Sequence, residues 1–177
     1  MIASKKALDS LPKLAIAPTD FETLFSASQF RAEILSLISS ATKRIYIAAL
    51  YLESDEGGKE VFDAIYHAKQ SNPDLDVQIL VDWHRAQRGR IGESDSYSNA
   101  QMYTEYSLKY QHSISVYGVP VRGREVFGVL HLKGFVFDDT VLYSGASLND
   151  IYLNKQDRYR FDRYHKIVSK DLSDSMV

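Results

Sequence analysis

Apolar positions along this chain recur with two different periods, and the switches between those periods lay out its elements. Over residues 21–43, Phe21, Leu24, Phe25, Phe30, Ile34, Leu35, Leu37 and Ile38 recur at helical intervals and predict one helix ending near Lys43. Residues 45–52 form a continuous apolar run that reads as a buried strand. Gly57-Gly58 then opens a second helix, in which Val61, Phe62, Ile65, Tyr66 and Lys69 repeat at 3.6 spacing until Asn72-Pro73 stops it. Residues 77–83 predict the next buried strand, residues 97–111 a Tyr-rich helix, and residues 114–120 a further strand. A strand, a helix and a strand joined by short connections make a right-handed parallel unit. The fold expected is therefore α/β, a mixed, mostly parallel sheet flanked by helices. Beyond it, residues 129–138 and 140–144 read as the two strands of a hairpin turned by Asp138-Asp139. Finally, Tyr159, Phe161 and Arg163 alternate with Arg158, Arg160 and Asp162, predicting a half-buried strand that runs into Ile167-Val168.

The chain has 177 residues, enough for one well-buried domain and short for two. Residues 1–20, with prolines at 12 and 18, read as an irregular arm, residues 21–169 as the domain, and residues 170–177 as the start of a following helix. Charge narrows the function classes. A formal net charge of -2 gives no global attraction to nucleic acid or anionic lipid, so any attraction to an anion is local. No apolar run is long enough to span a bilayer, and the first residues lack the apolar core of a signal peptide; the expected location is cytoplasmic, with membrane contact at most peripheral. The absence of cysteine excludes disulfides and thiolate metal sites, and no histidine spacing suggests zinc, so neither metal nor cofactor is expected.

The residues that a core does not need are concentrated in one stretch, from His131 to Asn149. On an extended chain His131 and Lys133 point to one side, about 7 Å apart. A neutral imidazole and a fixed cation then share a pocket, and the small residues Gly145, Ala146 and Ser147 let the backbone approach whatever lies there before Asn149 returns to the site. A second cluster, Arg85, Arg88 and Arg90 beside Gly89 and Gly92, follows the strand at 77–83, at the strand end where open α/β sheets bind ligands. Forked guanidinium donors suit phosphate or pyrophosphate oxygens, although a solvated basic loop has the same composition. Arg122 and Arg124 lie in the loop feeding the segment that carries His131 and Lys133. The aromatic-basic run at 158–163 is a pattern also found at nucleic-acid surfaces. With one face on a core, too few bases would remain to track a polymer, and no nucleic-acid partner is expected.

The spacing His131-x-Lys133, four residues, Asp138, six residues, then Gly-Ala-Ser-x-Asn149 resembles the catalytic motif of the phospholipase D superfamily. One departure is that many members place Ser directly after the Gly and Asn two further on, where this chain has Ala146 and Leu148. The segments 48–53, 80–92, 116–120 and 128–149 are similar to the phosphatidyltransferase branch, in particular to bacterial phosphatidylserine synthases of the phospholipase D type, in their amino-terminal half. The resemblance implies transfer of a phosphatidyl group from CDP-diacylglycerol to L-serine at an anionic membrane surface, through a phosphohistidine. It implies catalytic roles for His131, Lys133, Asp138 and Asn149, and for Asp157 as the acid that fixes the imidazole tautomer. Arg85, Arg88, Arg90, Arg122 and Ser147 would bind substrate. The superfamily site needs two motifs, and His67, His84, His112 and His165 lack a Lys two positions on. The resemblance therefore implies a partner, either a second phospholipase D-like half or another copy of the chain. A homodimeric phosphodiesterase or nuclease, and a folded but inactive half-enzyme, are the alternatives.

Overall fold

Ser26 decides how the first apolar stripe folds. Its hydroxyl accepts from the amide of Gln29, 3.1 Å away, and this cap starts α1 at Ala27–Ser40, later than the periodicity alone suggests. Ahead of it, Phe21–Leu24 is not helical but a strand, β1, which buries Leu24 and leaves Phe21 and Phe25 exposed. The computed structural model describes residues 10–88, 97–121 and 130–177. Residues 10–20 carry only a turn of 3-10 helix at Pro18–Asp20.

The order then follows the sequence pattern closely: β2 (Arg44–Ala49), α2 (Glu56–Ser71), β3 (Asp76–Asp82), the single turn α3 (Trp83–Ala86), α4 (Asn99–Lys109) and β4 (Ser115–Val119). After these come β5 (Gly134–Phe137), β6 (Thr140–Ser144), β7 (Tyr164–Val168) and α5 (Lys170–Ser175). The seven strands among the described residues lie in one sheet, in the order β1-β7-β6-β5-β2-β3-β4. The sheet is mixed, as expected, but antiparallel pairing dominates it. Among these strands only β2 with β3 and β3 with β4 are parallel, while β5 joins β2 and then β6, β7 and β1 follow antiparallel. The physical reason lies in the connections. A parallel neighbour needs a long crossover, which α2 supplies, whereas Asp138-Asp139 is a tight turn and can only return the chain antiparallel.

One face of the sheet is the core. Ile45, Ile47, Ile79, Phe135, Leu142 and Tyr164 point there and meet Phe30 and Ile34 of α1, Phe62 and Ile65 of α2, and Met102 of α4. Tyr164 stacks on Phe30 with ring centroids 4.7 Å apart. On the other face α5 folds back, bringing Met176 against Gly134 and leaving Leu80 and Tyr117 exposed. The last expected strand is half as long as its pattern. Residues 158–163 are irregular, with Tyr159 and Phe161 in solvent, and regular pairing begins at Tyr164.

Candidate active site

Two chain segments converge where β2 and β6 run out. Leu52 and Leu148 form an isolated parallel bridge, and both side chains are fully buried in the core. Because successive residues of an extended chain point to opposite sides, Tyr51 and Glu53 on one segment, and Ser147 and Asn149 on the other, face away from the core. They face a common cavity of about 540 Å³, whose walls also include Arg85, His131, Asp150 and Arg160.

The backbone here is held tightly. The Tyr103 hydroxyl donates to the Leu52 carbonyl at 2.7 Å and accepts from the Leu52 amide at 2.9 Å, while the Glu53 amide donates to the Leu148 carbonyl at 3.1 Å. Burial pushes the Tyr103 hydroxyl far above its ordinary pKa, which keeps it protonated and able to donate. The start of α2 closes the floor. Asp55 caps it by accepting from Gly58 N at 2.8 Å and, through its second oxygen, from Asp150 N at 2.7 Å. Asp150 in turn accepts from Gly57 N at 2.6 Å. A Cβ at position 58 would stand 2.0 Å from the Glu53 carbonyl oxygen, so glycine is required by contact and not by flexibility.

His131 and Lys133 do not lie on a strand, as the alternation predicted. They sit on an irregular segment leading into β5, and the segment is anchored one residue earlier, where the buried carboxylate of Asp82 accepts from Leu130 N at 2.8 Å. The other Asp82 oxygen caps α3 through Arg85 N. One side chain thus fixes the approach to His131 and the base of Arg85. His131 is exposed to the cavity, whereas Lys133 is 8 % exposed. The Lys133 ammonium lies 3.3 Å from Nε2 and 3.5 Å from Nδ1 of His131. Burial lowers the pKa of Lys133, and the charge of Asp162 opposes that shift. Asp162 also accepts from Gly145 N at 3.2 Å, tying the small-residue turn to the same corner.

Among the other predicted site residues, Ser147 and Asn149 reach the cavity and are buried. Asn149 Oδ1 accepts from Tyr152 N at 3.2 Å, which leaves its NH2 group as the end able to donate to an anionic oxygen. Arg85 reaches the cavity as well; Arg88 is exposed on the turn after α3 and is not part of the wall. Arg90 and Arg122 lie outside the described residues. Asp138 is a correction. It stands at the far end of β5, in the hairpin turn with φ of 50°, and its carboxylate accepts from Thr42 N, Thr42 Oγ1, Lys43 N and Arg44 N at 2.7–3.0 Å. Burial pushes its pKa up, but the amides of Arg44, Thr42 and Lys43 outweigh that effect and hold it below the ordinary value. It clamps the start of β2 rather than touching the cavity. Asp157 is a second correction: it is exposed on the irregular stretch before β7, and among the described residues no hydrogen bond joins it to His131. Among the described residues, the acid whose charge acts on Lys133 is Asp162, five residues later. Sequence reasoning also missed Tyr51, Glu53 and Asp82, whose placement depends on pairings distant in sequence.

Comparison with known proteins supplies the family. The family model described as cardiolipin synthase, PLD-like domain, matches residues 34–152. The chain belongs to the PLD-like family. It is 51 % identical over 177 residues to a CDP-diacylglycerol-serine O-phosphatidyltransferase of Haemophilus influenzae, covering 98 % of this chain and 39 % of that protein. It is also 51 % identical over 170 residues to the corresponding Escherichia coli protein, covering 96 % and 38 %. The crystal structure of phosphatidylserine synthase from Haemophilus influenzae superposes with a TM-score of 0.92 at 49 % identity, covering 99 % of this chain and 39 % of that one. The PLD-like chain thus spans about two fifths of the length of these relatives.

Proposed function

We propose that this chain carries one half of the active site of a phosphatidyltransferase that moves a phosphatidyl group from CDP-diacylglycerol to L-serine. The observation that carries the reading is the His131-Lys133 pair, ammonium to imidazole at 3.3 Å, opening on a cavity shared with Ser147 and Asn149. The names of relatives at 51 % identity supply the substrates.

The chemistry follows from those groups. A neutral His131 nitrogen attacks the phosphorus that bears the diacylglycerol, a P–N bond forms, and the P–O bond to CMP breaks with the electron pair leaving on CMP. Lys133 and the Asn149 NH2 group stabilise the non-bridging oxygens as charge develops on them. In the second step the serine hydroxyl attacks the same phosphorus, its proton passes to a base on the side CMP vacated, and the P–N bond breaks to restore His131. That second acid-base group stands across phosphorus from His131 and comes from a second motif, in a following half or in another copy of the chain. Arg85 supplies a further cation for the pyrophosphate.

CDP-diacylglycerol keeps its acyl chains in a bilayer while its phosphates react, so the cavity mouth faces lipid. Tyr159 and Phe161 are exposed beside Arg158, Arg160 and Arg163 on the stretch that includes the cavity-lining Arg160, an aromatic-basic edge suited to an anionic interface at the cytoplasmic side of a membrane. No helix among the described residues is long and apolar enough to cross a membrane.

Trapping tests the assignment. The chain, supplemented with the remaining portion of the Haemophilus influenzae relative, is incubated with CDP-diacylglycerol labelled in the diacylglycerol-side phosphate and quenched in alkali, where phosphohistidine survives. Label on His131 that L-serine discharges is the expected result. Label that is absent, or that persists in His131→Ala, refutes the mechanism.

A further inference from the structure

The cavity holds a cation that the phosphoryl-transfer steps do not use. Arg160 lines it together with His131, Arg85, Ser147 and Asn149, yet it comes from the irregular stretch before β7 and is exposed. Its backbone is pinned, because Arg160 N donates to the Ile151 carbonyl at 3.0 Å. Its guanidinium lies against the face of Tyr152, 5.9 Å from the ring centroid. Tyr152 N in turn donates to Asn149 Oδ1 at 3.2 Å, so one residue connects the arginine to the amide that faces the phosphoryl oxygens.

Among the described residues no acid forms an ion pair with Arg160. Asp55 and Asp150 face the same cavity but are engaged elsewhere. Asp55 accepts from the Gly58 and Asp150 amides, and Asp150 accepts from the Gly57 amide and, at 3.1 Å, from Gln156 Nε2. A guanidinium laid on an aromatic ring keeps its edge N–H donors free in a planar fork, which matches a planar carboxylate. Two kinds of anion enter the proposed reaction. The pyrophosphate of the lipid meets Lys133, Asn149 and Arg85, whereas the carboxylate of the acceptor has no cation assigned to it. The acceptor comes from water and attacks phosphorus on the side opposite His131, so its carboxylate lies toward the open wall where Arg160 stands.

We infer that Arg160 receives the carboxylate of the acceptor amino acid and so selects serine over amino alcohols that lack one. The assignment rests on the phosphatidyltransferase reading and extends it by naming a specificity-determining residue. A charge-assisted, forked contact holds the acceptor at its carboxylate end and leaves its hydroxyl free to reach phosphorus. Ethanolamine carries the hydroxyl and the ammonium but offers nothing to the fork, and a site built around a missing partner rejects the analogue that lacks it.

The test uses a whole site: this chain is put in place of the 39 % of the Haemophilus influenzae relative that it matches, so that one polypeptide carries both halves. Acceptor-dependent release of CMP is measured against each substrate for the wild-type chimera, Arg160→Gln and Arg160→Lys. L-serinamide, in which the carboxylate is a neutral amide, serves as the second acceptor. Expected in Arg160→Gln is a KM for L-serine raised roughly tenfold or more, a KM for CDP-diacylglycerol that moves less than about threefold, and a preference for L-serine over L-serinamide that shrinks roughly tenfold. Arg160→Lys keeps the charge and should recover part of each change. A guanidinium that only supported the fold would not alter the ratio between two acceptors; melts check that each variant is folded, and Arg160→Lys is judged by the same ratio should Arg160→Gln unfold. An unchanged KM for L-serine with an unchanged acceptor ratio overturns the inference while the transferase reading stands. So does a KM for CDP-diacylglycerol that rises as much as that for L-serine or more, which gives Arg160 to the pyrophosphate or to the lipid surface. If the folded wild-type chimera releases no CMP on addition of L-serine, the phosphatidyltransferase reading itself fails.

Discussion

The Lys133 ammonium is nearly equidistant from the two ring nitrogens of His131, at 3.3 and 3.5 Å. A cation in that place stands where it can meet the oxygens of a phosphate bound beside the ring. Replacing either residue by Ala should lower turnover of the complemented enzyme by roughly a hundredfold or more. His131→Ala should leave the melting temperature near that of wild type because the ring is exposed. Parallel assays and melts on both variants check this.

The pH dependence of Lys133 has a definite sign. Its folded pKa is lowered below the ordinary lysine value of 10.5, so between the two values the unfolded chain binds more protons. Burial of the cation therefore costs stability at neutral pH, and the cost is relieved as the pH rises through that window. Activity should move the other way, falling on the alkaline side below pH 10.5 as the ammonium is lost. Lys133→Met should melt no lower than wild type at pH 7 and should flatten this part of the stability profile. Melts from neutral to alkaline pH, with rates measured alongside, separate the two effects.

Asp138 should behave as a structural residue. Asp138→Ala removes acceptors for four donors at residues 42–44 and should cost about 2–4 kcal/mol. Its pKa is lowered below 3.8, so its contribution is present above that value and lost as the pH falls through the folded pKa. Denaturant melts at neutral and acid pH check both statements, and the rate per folded molecule should stay within a few-fold of wild type.

The two candidate acids should separate cleanly. Asp157→Asn is expected to be nearly silent, being exposed and without a described bond to the site. Asp162→Asn should lower turnover and shift the alkaline limb to lower pH, because the charge that props up the Lys133 pKa is removed. Comparison of the two pH-rate profiles decides which acid serves the His-Lys corner.

The contrast between these acids shows what a sequence can and cannot tell. The helix opened by Gly57-Gly58, the strands at Arg44–Ala49 and Asp76–Asp82 and the turn at Asp138-Asp139 were legible because local periodicity and turn chemistry dictate them. His131, Lys133, Ser147 and Asn149 were legible because a chemical motif fixes their spacing. Phe21–Leu24 was not, since a strand of four residues at the sheet edge depends on its pairing with Tyr164–Val168. Asp162 and Asp157 differ only in where an irregular stretch ends. Glu53 depends on a bridge between residues nearly a hundred positions apart, and no local pattern announces it.

The central claim is that this chain supplies one motif of a two-motif phosphatidyltransferase site. The most direct measurement is serine-dependent release of CMP from CDP-diacylglycerol, followed across a range of chain concentrations beside sedimentation, with and without the remaining portion of the Haemophilus influenzae relative. The account predicts no serine-dependent release from the monomer alone, release on adding the remaining portion, and its loss in His131→Ala. Turnover by the monomeric chain at a constant rate per molecule, without that addition, would contradict it.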